Sequence, residues 1–235
     1  MLASGRIDRL TQDVFSGLAE AEAALVAGMT RRTLALAANR PLVGAGEIGI
    51  ALYAIEEGWA FRYRRTADAC RQILDFLLPG EIIGLQAALL GLMEHSAQSL
   101  TPLRLTAYDP RLVGDAFAGT PGLALRLARH AAAEASRSEA LMTVLGCGSA
   151  VQRLAFLMMS LYRRQQHHPG VEAGHCPFPL RRQHLADALG LTGAHVNRTL
   201  NRLREDAIAV IDGWFLSILD LPRLREIGGL PDSSG

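Results

Sequence analysis

The sequence has no lysine, so all 24 of its basic residues are arginine. GC-rich coding is the simplest explanation of that composition. The arginines are nearly balanced by 23 acidic residues, and a formal net charge of +1 excludes a whole-chain charge bias toward nucleic acid. Any basic function must therefore be local. There arginine matters, because its planar guanidinium suits phosphates and guanine edges better than an ammonium group does.

Cysteine and long apolar runs are also scarce. Cys70, Cys147 and Cys176 lie far apart and form no CxxC pair, which excludes a disulfide framework and fits a reducing compartment. No segment approaches the ~20 consecutive apolar residues of a membrane span. Charged residues interrupt the opening segment "MLASGRIDRL", where a signal peptide needs an apolar core. We expect a cytoplasmic protein with no membrane partner.

Catalytic motifs are missing as well. The sequence contains no GxSxG, no P-loop and no Cys–His arrangement whose spacing supports catalysis. With 235 residues, 49% of them hydrophobic, the chain can bury a sizeable core in one or two domains. We therefore expect a globular protein that is not an enzyme and whose sequence requires no cofactor.

The spacing of apolar and turn residues in the first half of the sequence changes near residue 40. Residues 1–38 have alanine and leucine spacing that predicts helices. Between residues 40 and 108, short alternating segments are broken at Glu57-Gly58 and Pro79-Gly80, which predicts a small antiparallel roll or barrel. The predicted core positions of that roll are Leu52, Phe61, Tyr63, Ile73 and Phe76.

A long helix is predicted after the roll. Thr120 is its candidate N-cap, Pro121 falls in its first turn, and it runs to about Leu145, ~37 Å at 1.5 Å per residue. A stripe of small or apolar residues allows either close approach of a second helix or packing on the roll, and the stripe alone does not decide between them. Its members are Ala124, Ala128, Ala131, Ala135, Ser138, Met142 and Leu145. The sequence Gly146-Cys147-Gly148 then predicts a hinge.

Two short helices joined by a glycine turn are predicted near the C-terminus. "RRQHLADAL", residues 181–189, is amphipathic, and Gly190-Leu191 makes a tight turn after it. Thr192 can cap a second helix that runs to about Glu205. This is the helix-turn-helix pattern.

A β-hairpin is predicted directly after the helix pair. "IAVIDGWFLSI" has apolar strands around Asp212-Gly213, a favoured turn pair. Helix, turn, helix and hairpin together make the winged arrangement. Upstream of the pair, we predict a helix at 149–166 followed by the irregular stretch "HHPGVEAGHCPFP".

The second helix of the pair has an unusual polar side. Residues 181–206 hold five arginines against three acidic residues, a local charge of +2. In a helix-turn-helix the second helix enters the major groove, where arginine bonds guanine and asparagine bonds adenine. The side opposite Val196, Leu200 and Leu203 carries Asn197, Arg198, Asn201 and Arg202.

The segment "PLRRQHLADALGLTGAHVNRTLNRLRE" resembles the DNA-binding end of the Crp/Fnr superfamily of bacterial transcription regulators. "LYAIEEGWAFRYRRTADACRQILDFLLPGEIIGL" is similar to that family's cyclic-nucleotide-binding-type β-roll. The resemblance spans about residues 40–226. It implies an α+β fold in three parts: N-terminal helices with a β-roll (1–118), a dimerisation helix (119–146) and a winged helix-turn-helix (147–235).

The resemblance also implies partners. We expect a homodimer joined through the long helix and bound to double-stranded DNA with two-fold symmetry. RNA polymerase is an expected partner if the protein activates transcription. Arg182 matches the family's phosphate contact, and Arg198 matches its base-reading arginine, whereas Ala194 replaces a common glutamate. The candidate base contacts are Arg198, Asn197, His195 and Asn201; the candidate phosphate contacts are Thr192, Arg182 and Arg202.

The candidate effector pocket comprises Gly80, Gly84, Leu85, His95 and Ser96. The cyclic-AMP-binding branch of the family places a glutamate on the ribose hydroxyl and an Arg-Ser pair on the phosphate. Here Leu85 stands at the glutamate position and His95-Ser96 at the Arg-Ser position. We therefore expect an effector other than cyclic AMP. A four-cysteine iron–sulfur cluster within one subunit is excluded, since no cysteine precedes Cys70.

Histidine and cysteine side chains leave one alternative open. His167, His168, His175 and Cys176 fall within ten residues, so they are candidates for a metal site or, for Cys176, a redox switch. His95 is a candidate haem ligand. The alternative to a DNA-binding regulator is thus a redox- or haem/metal-dependent sensor whose output is a protein–protein contact. Incidental loop histidines and a plain loop cysteine explain the same residues.

Overall fold

The structure is a computed structural model that describes residues 14–68, 70–166, 168 and 170–229. Its strands are β1 (Thr30–Leu36), β2 (Pro41–Val43), β3 (Leu52–Glu57), β4 (Ala60–Arg65), β5 (Arg71–Leu77), β6 (Ile82–Ile83), β7 (Ser96–Ser99), β8 (Leu103–Tyr108), β9 (His175–Pro177), β10 (Ala209–Asp212) and β11 (Phe215–Ile218). Its helices are α1 (Glu20–Gly28), α2 (Leu85–Leu90), α3 (Arg111–Gly119), α4 (Pro121–Cys147), α5 (Ala150–Gln165), α6 (Arg182–Leu189), α7 (Gly193–Glu205) and α8 (Leu221–Gly228).

The first eight strands form two antiparallel four-stranded sheets, in the orders β1-β8-β3-β6 and β2-β7-β4-β5. One apolar cluster draws Ile55 and Leu105 from the first sheet and Ala60 and Ala97 from the second, with Met93 beside them. The tight β3–β4 turn requires Gly58, whose φ is +86° and whose added Cβ would lie 2.0 Å from a backbone carbonyl. The predicted roll and the predicted α+β fold are confirmed.

Four of the five predicted core positions are buried, and Tyr63 is the exception. Leu52, Phe61, Ile73 and Phe76 are each at most 1% exposed, whereas Tyr63 is half-buried. A register irregularity lies between Arg62 and Tyr63 where β4 pairs with β5. Because a bulge interrupts the two-residue alternation, the residues after it do not keep the facing that the pattern predicts.

The helical prediction for residues 1–38 is wrong over its second half. Only Glu20–Gly28 is helical among the described residues of that range, and Thr30–Leu36 is strand β1. β1 pairs along its length with β8, so backbone pairing in a sheet outweighs the local helical spacing of alanine and leucine. The part of the prediction that falls on residues 1–13 lies outside the described residues.

The predicted long helix is present as α4 and ends two residues later than expected. Thr120 directly precedes it but does not cap it with its side chain: the hydroxyl donates to Ala116 O of the preceding helix α3, at 3.3 Å. α3 was not predicted as a helix separate from α4. The break after α4 falls at Gly148, where Ser149 and Gln152 form a reciprocal capping box for α5.

The C-terminal region contains the predicted helix pair and hairpin. The hairpin loop is Gly213-Trp214, one residue later than predicted, because Asp212 pairs with Phe215. The stretch predicted to be irregular contains strand β9, which pairs with β11 to make a three-stranded sheet. A strand of three residues is too short to show an alternating pattern in the sequence.

The described residues divide into two compact units, 14–135 and 136–229, and the division falls within α4. In the first unit, α3 and the start of α4 share an apolar cluster with the β1-β8-β3-β6 sheet through Leu112, Leu123, Leu127 and Tyr108. In the part of the chain that the structure describes, no helix is long and apolar enough to cross a membrane.

Candidate nucleic-acid interface

Helices α6 and α7 pack through short apolar faces. Leu185, Ala188 and Leu189 of α6 are buried. Gly190 ends the helix in the left-handed conformation, φ +61°, which turns the chain toward α7. The Thr192 hydroxyl then accepts a hydrogen bond from the His195 amide at 3.2 Å, so the predicted N-cap of α7 is confirmed.

The inward side of α7 carries Val196, Thr199 and Leu203, all buried, with Leu200 half-buried. Thr199 was not among the predicted inward positions. Its hydroxyl donates to His195 O at 2.9 Å, one turn back along the helix. That bond satisfies the polar group, so a threonine can be buried where the pattern shows a polar residue.

The outward side of α7 is polar and exposed. The side chains there are those of His195, Asn197, Arg198, Asn201 and Arg202. The structure therefore brings all five α7 candidates to one surface. Arg202 pairs with Asp206 at 3.7 Å, an exposed ion pair one turn apart, so part of its charge is already matched.

The remaining two candidates lie at helix starts. Arg182 is the first residue of α6 and is exposed. Thr192 is exposed, and its hydroxyl accepts the capping bond while its own proton stays available for a donor contact. The start of α7 can thus offer a hydroxyl, a helix dipole and exposed side chains to an anion.

The glycines of the candidate effector pocket shape the chain between β5 and α2. The Gly80 amide donates to Ile55 O at 2.8 Å. Gly84 has a φ of +99°, and an added Cβ would lie 2.7 Å from Ala51 O. Gly84 therefore permits a close backbone approach at the start of α2.

The other candidate pocket residues offer neither a carboxylate nor a permanent cation. Leu85 is 4% exposed and belongs to the apolar cluster beneath α3. His95 is buried, and desolvation, followed by the charges of Arg62 and Arg64, lowers its pKa to about 4. The Ser96 hydroxyl accepts a hydrogen bond from the Ala45 amide at 3.1 Å.

Arg62, one of the two arginines whose charge acts on His95, belongs to an ion-pair network. Arg62 of β4 is largely buried and pairs with Asp75 of β5 at 3.5 Å and with Glu134 of α4. The network joins the roll to the middle of the long helix. Two carboxylates therefore already face a guanidinium whose charge acts on His95.

The cysteine and histidine candidates that the structure describes form no common metal site. Cys176 is fully buried in β9, and burial raises the pKa of its thiol to about 12, the opposite of an acidified switch. The ring of His175, its neighbour, stacks on Phe215 with centroids 5.0 Å apart. Among the described residues no group of three histidine, cysteine or acidic side chains is placed to hold a metal. His167 lies outside the described residues.

Residues 33–118 match the cyclic nucleotide-binding domain, and residues 152–227 match the Crp-like helix-turn-helix domain. The nitrogen fixation regulation protein FixK of Bradyrhizobium diazoefficiens is 31% identical over 182 residues, which cover 77% of this chain and 75% of FixK. The chain belongs to the Crp/Fnr superfamily. It is a Crp/Fnr-type transcription regulator with a helix-turn-helix that binds DNA.

Other relatives match this chain over a similar share of its length. FixK of Rhizobium meliloti is 28% identical and matches 80% of this chain and 83% of its own length. The anaerobic regulatory protein of Pasteurella multocida is also 28% identical, over 81% and 70%. Among solved structures, FixK2 from Bradyrhizobium japonicum superposes with a TM-score of 0.75 at 24% identity, over 83% of this chain and 96% of that one, a likeness that concerns the fold.

Proposed function

We propose that this Crp/Fnr regulator is a homodimer that binds a two-fold symmetric promoter site through α7, and that its roll responds to a signal other than cyclic AMP. The observation that carries the proposal is the outward side of α7. Five polar side chains lie exposed on a short helix whose opposite side is buried against its own domain. Arg198, Asn197, His195 and Asn201 are the base contacts; Thr192, Arg182 and Arg202 contact phosphates.

The exposed surface of α4 supports the dimer. Ala124, the first member of the predicted stripe, is buried, whereas Ala128, Ala135 and Met142 are exposed. Alternating steps of three and four residues along α4 mark an exposed row with a 3.5-residue period, which is the period of a helix pair. The row comprises Leu125, Ala128, Ala132, Ala135, Glu139 and Met142.

The roll supports a signal other than cyclic AMP. A buried leucine side chain at position 85 cannot bond a ribose hydroxyl. A His95 that stays neutral at pH 7 cannot supply the cation that a cyclic phosphate needs. The neighbouring guanidinium of Arg62 is matched by Asp75 and Glu134.

Selection of bound sequences from a random duplex library tests the proposal. The purified chain is expected to enrich a two-fold symmetric motif, with cyclic AMP leaving the enrichment unchanged. A variant with Arg198→Ala and Asn201→Ala serves as the matched negative, since both residues are exposed and away from the core. Enrichment of an asymmetric motif would contradict the dimer, and retention of no DNA, with or without cell extract, would contradict DNA recognition itself.

A further inference from the structure

Arg153 joins two places that the chain keeps 41 residues apart, the break after α4 and the end of α6. It lies in the first turns of α5, half-buried. Its Nε donates to Gly148 O at 2.9 Å, and its Nη1 donates to Leu189 O at 3.1 Å. Both acceptors are backbone carbonyls, so the contacts depend on where the backbone runs.

The first carbonyl belongs to the residue that closes the long helix. The Gly148 amide still donates to Val144 O at 2.8 Å, as in a helix. An added Cβ at Gly148 would lie 2.6 Å from that same oxygen, so glycine lets the chain leave the helix there. Arg153 therefore bonds the residue at which α4 gives way to the DNA-binding region.

The second carbonyl belongs to the last residue of α6. The final carbonyls of a helix have no amide partner within it and carry the negative end of its dipole, which favours a cation. Three residues after Leu189, Thr192 caps α7. The guanidinium thus sits one short turn away from the start of the recognition helix.

We propose that Arg153 is a positioning residue that holds α7 in a fixed relation to the end of α4 and so sets the spacing of the two recognition helices in the dimer. This inference rests on the proposed function. A helix-turn-helix dimer meets half-sites about 34–36 Å apart, one helical turn of DNA. When each α7 is fixed relative to its own α4, the two recognition helices of the dimer can bind only half-sites at that one separation.

Three duplexes test the coupling: the selected symmetric site, the same site with one half scrambled, and the site with one base pair inserted between its halves. For Arg153→Gln we expect the affinity for the symmetric site to fall about tenfold, as when a charge-assisted hydrogen bond is lost. The affinity for the single half-site stays within about twofold. The penalty for the inserted base pair shrinks, because the helices are held less tightly.

Arg225→Gln is the matched control, an exposed arginine of α8 in the same unit, and is expected to behave like the wild type. Arg153→Lys keeps the charge and the aliphatic stem but loses the planar fork, so an intermediate spacing penalty is expected. Thermal melts establish which variants are folded. Should Arg153→Gln melt below the assay temperature, the lysine variant makes the comparison.

Two results would overturn the inference. Equal losses on the symmetric site and the half-site, with the spacing penalty unchanged, would show that Arg153 only supports the helix pair. Unchanged binding of all three duplexes would show that the contacts have no role in DNA binding. If the wild type itself does not prefer the symmetric site to the half-site, the dimeric proposal fails first, which is a different outcome.

Discussion

The proposed base recognition by α7 depends on side chains that point away from the core. Arg198 is exposed and sits one helical turn beyond Ala194, the position at which many family members have a glutamate. With no acidic acceptor there, cytosine recognition is not expected at that position. The guanidinium of Arg198, unlike that of Arg202, is not matched by the Asp206 carboxylate, so it is the stronger donor to a base edge. The DNA sequence read by this chain is thus expected to differ from that of family members that carry the glutamate.

Arg198→Ala is expected to weaken binding to the selected site by about 1–3 kcal/mol and to relax the preference for one base pair. The reason is the loss of a bidentate contact to a base edge, with no change to the buried side of α7. Titrations on the selected site and on duplexes with that base pair exchanged measure both effects. An equal loss on random DNA would mean that Arg198 contacts a phosphate.

Arg182→Ala is expected to act differently, because Arg182 lies at the start of α6 and not on α7. Loss of one phosphate contact weakens all sequences by a similar factor and reduces the slope of log affinity against log salt by about one. Titrations at several salt concentrations measure the slope. Arg225→Gln, remote in sequence and exposed, is the control; a change in base preference in Arg182→Ala would refute the assignment.

At the scale of elements, an ion pair attaches the middle of the long helix to the roll. Glu134 of α4 reaches Arg62 of β4, and both side chains are less than a quarter exposed. Removing one partner of a largely buried pair leaves the other charge undercompensated, although Asp75 remains here as a second partner. The attachment is therefore expected to contribute more to stability than the exposed pairs at the surface do.

Glu134→Gln is expected to lower the free energy of unfolding by about 2 kcal/mol, between the cost of a lost surface pair and that of a fully broken buried pair. Denaturant unfolding measures it. Glu94→Gln removes a half-exposed partner of Arg64 and is expected to cost less than about 1 kcal/mol. Equal costs for the two variants would contradict a special role for the Arg62–Glu134 contact.

The elements that sequence predicted well are those with a strong local signal. α4, α6 and α7 have helical periodicity and glycine or hydroxyl residues at their ends, and the strands around Gly58 and Pro79 have turn residues between them. β1 and β9 could not be predicted, because each exists through pairing with a strand distant in the sequence, β8 and β11. The composition of a short segment does not specify a partner strand that lies far away in the sequence.

The same limit applies to the sites. The candidate residues on α7 follow from helical periodicity, and all of them lie on the exposed side. Arg153 could not be found in this way, since it acts through two backbone carbonyls at positions 148 and 189. Cys176 lies in a segment with no sequence periodicity, and its burial depends on the pairing of β9 with β11.

For the whole molecule, His95 gives a pH dependence of stability. Its pKa is about 4 in the folded protein, lowered from 6.5 first by desolvation and then by Arg62 and Arg64. Between these values the unfolded chain binds more protons than the folded one, so stability falls as pH is lowered from about 6.5 toward 4. The loss from this group is at most about 3 kcal/mol.

Chemical denaturation at a series of pH values from neutral to about 4 measures that loss. His95→Gln removes this titrating group and is expected to reduce the slope of the profile over this range by the share that His95 contributes, while the other ionisable groups keep theirs. Asp109 is such a group, with a pKa well below its usual range owing to its hydrogen bonds with Arg111 and Arg31. An unchanged slope in His95→Gln would show that His95 is not the group responsible.

The assembly of two chains is expected to depend on the exposed row of α4. Ala135 lies near the middle of that row, where a small side chain allows a second helix to approach closely. Ala135→Glu replaces that small side chain with a longer one and adds a second negative charge one turn before Glu139, so it is expected to give a monomer in light scattering, because burying unpaired charges is costly. Ala135→Ser at the same position keeps the small volume and is expected to remain dimeric. DNA titrations provide a second measurement. A monomer is expected to keep its affinity for a single half-site but to lose the additional affinity that a dimer gains from the second half-site. A dimeric Ala135→Glu would place the interface elsewhere on the chain.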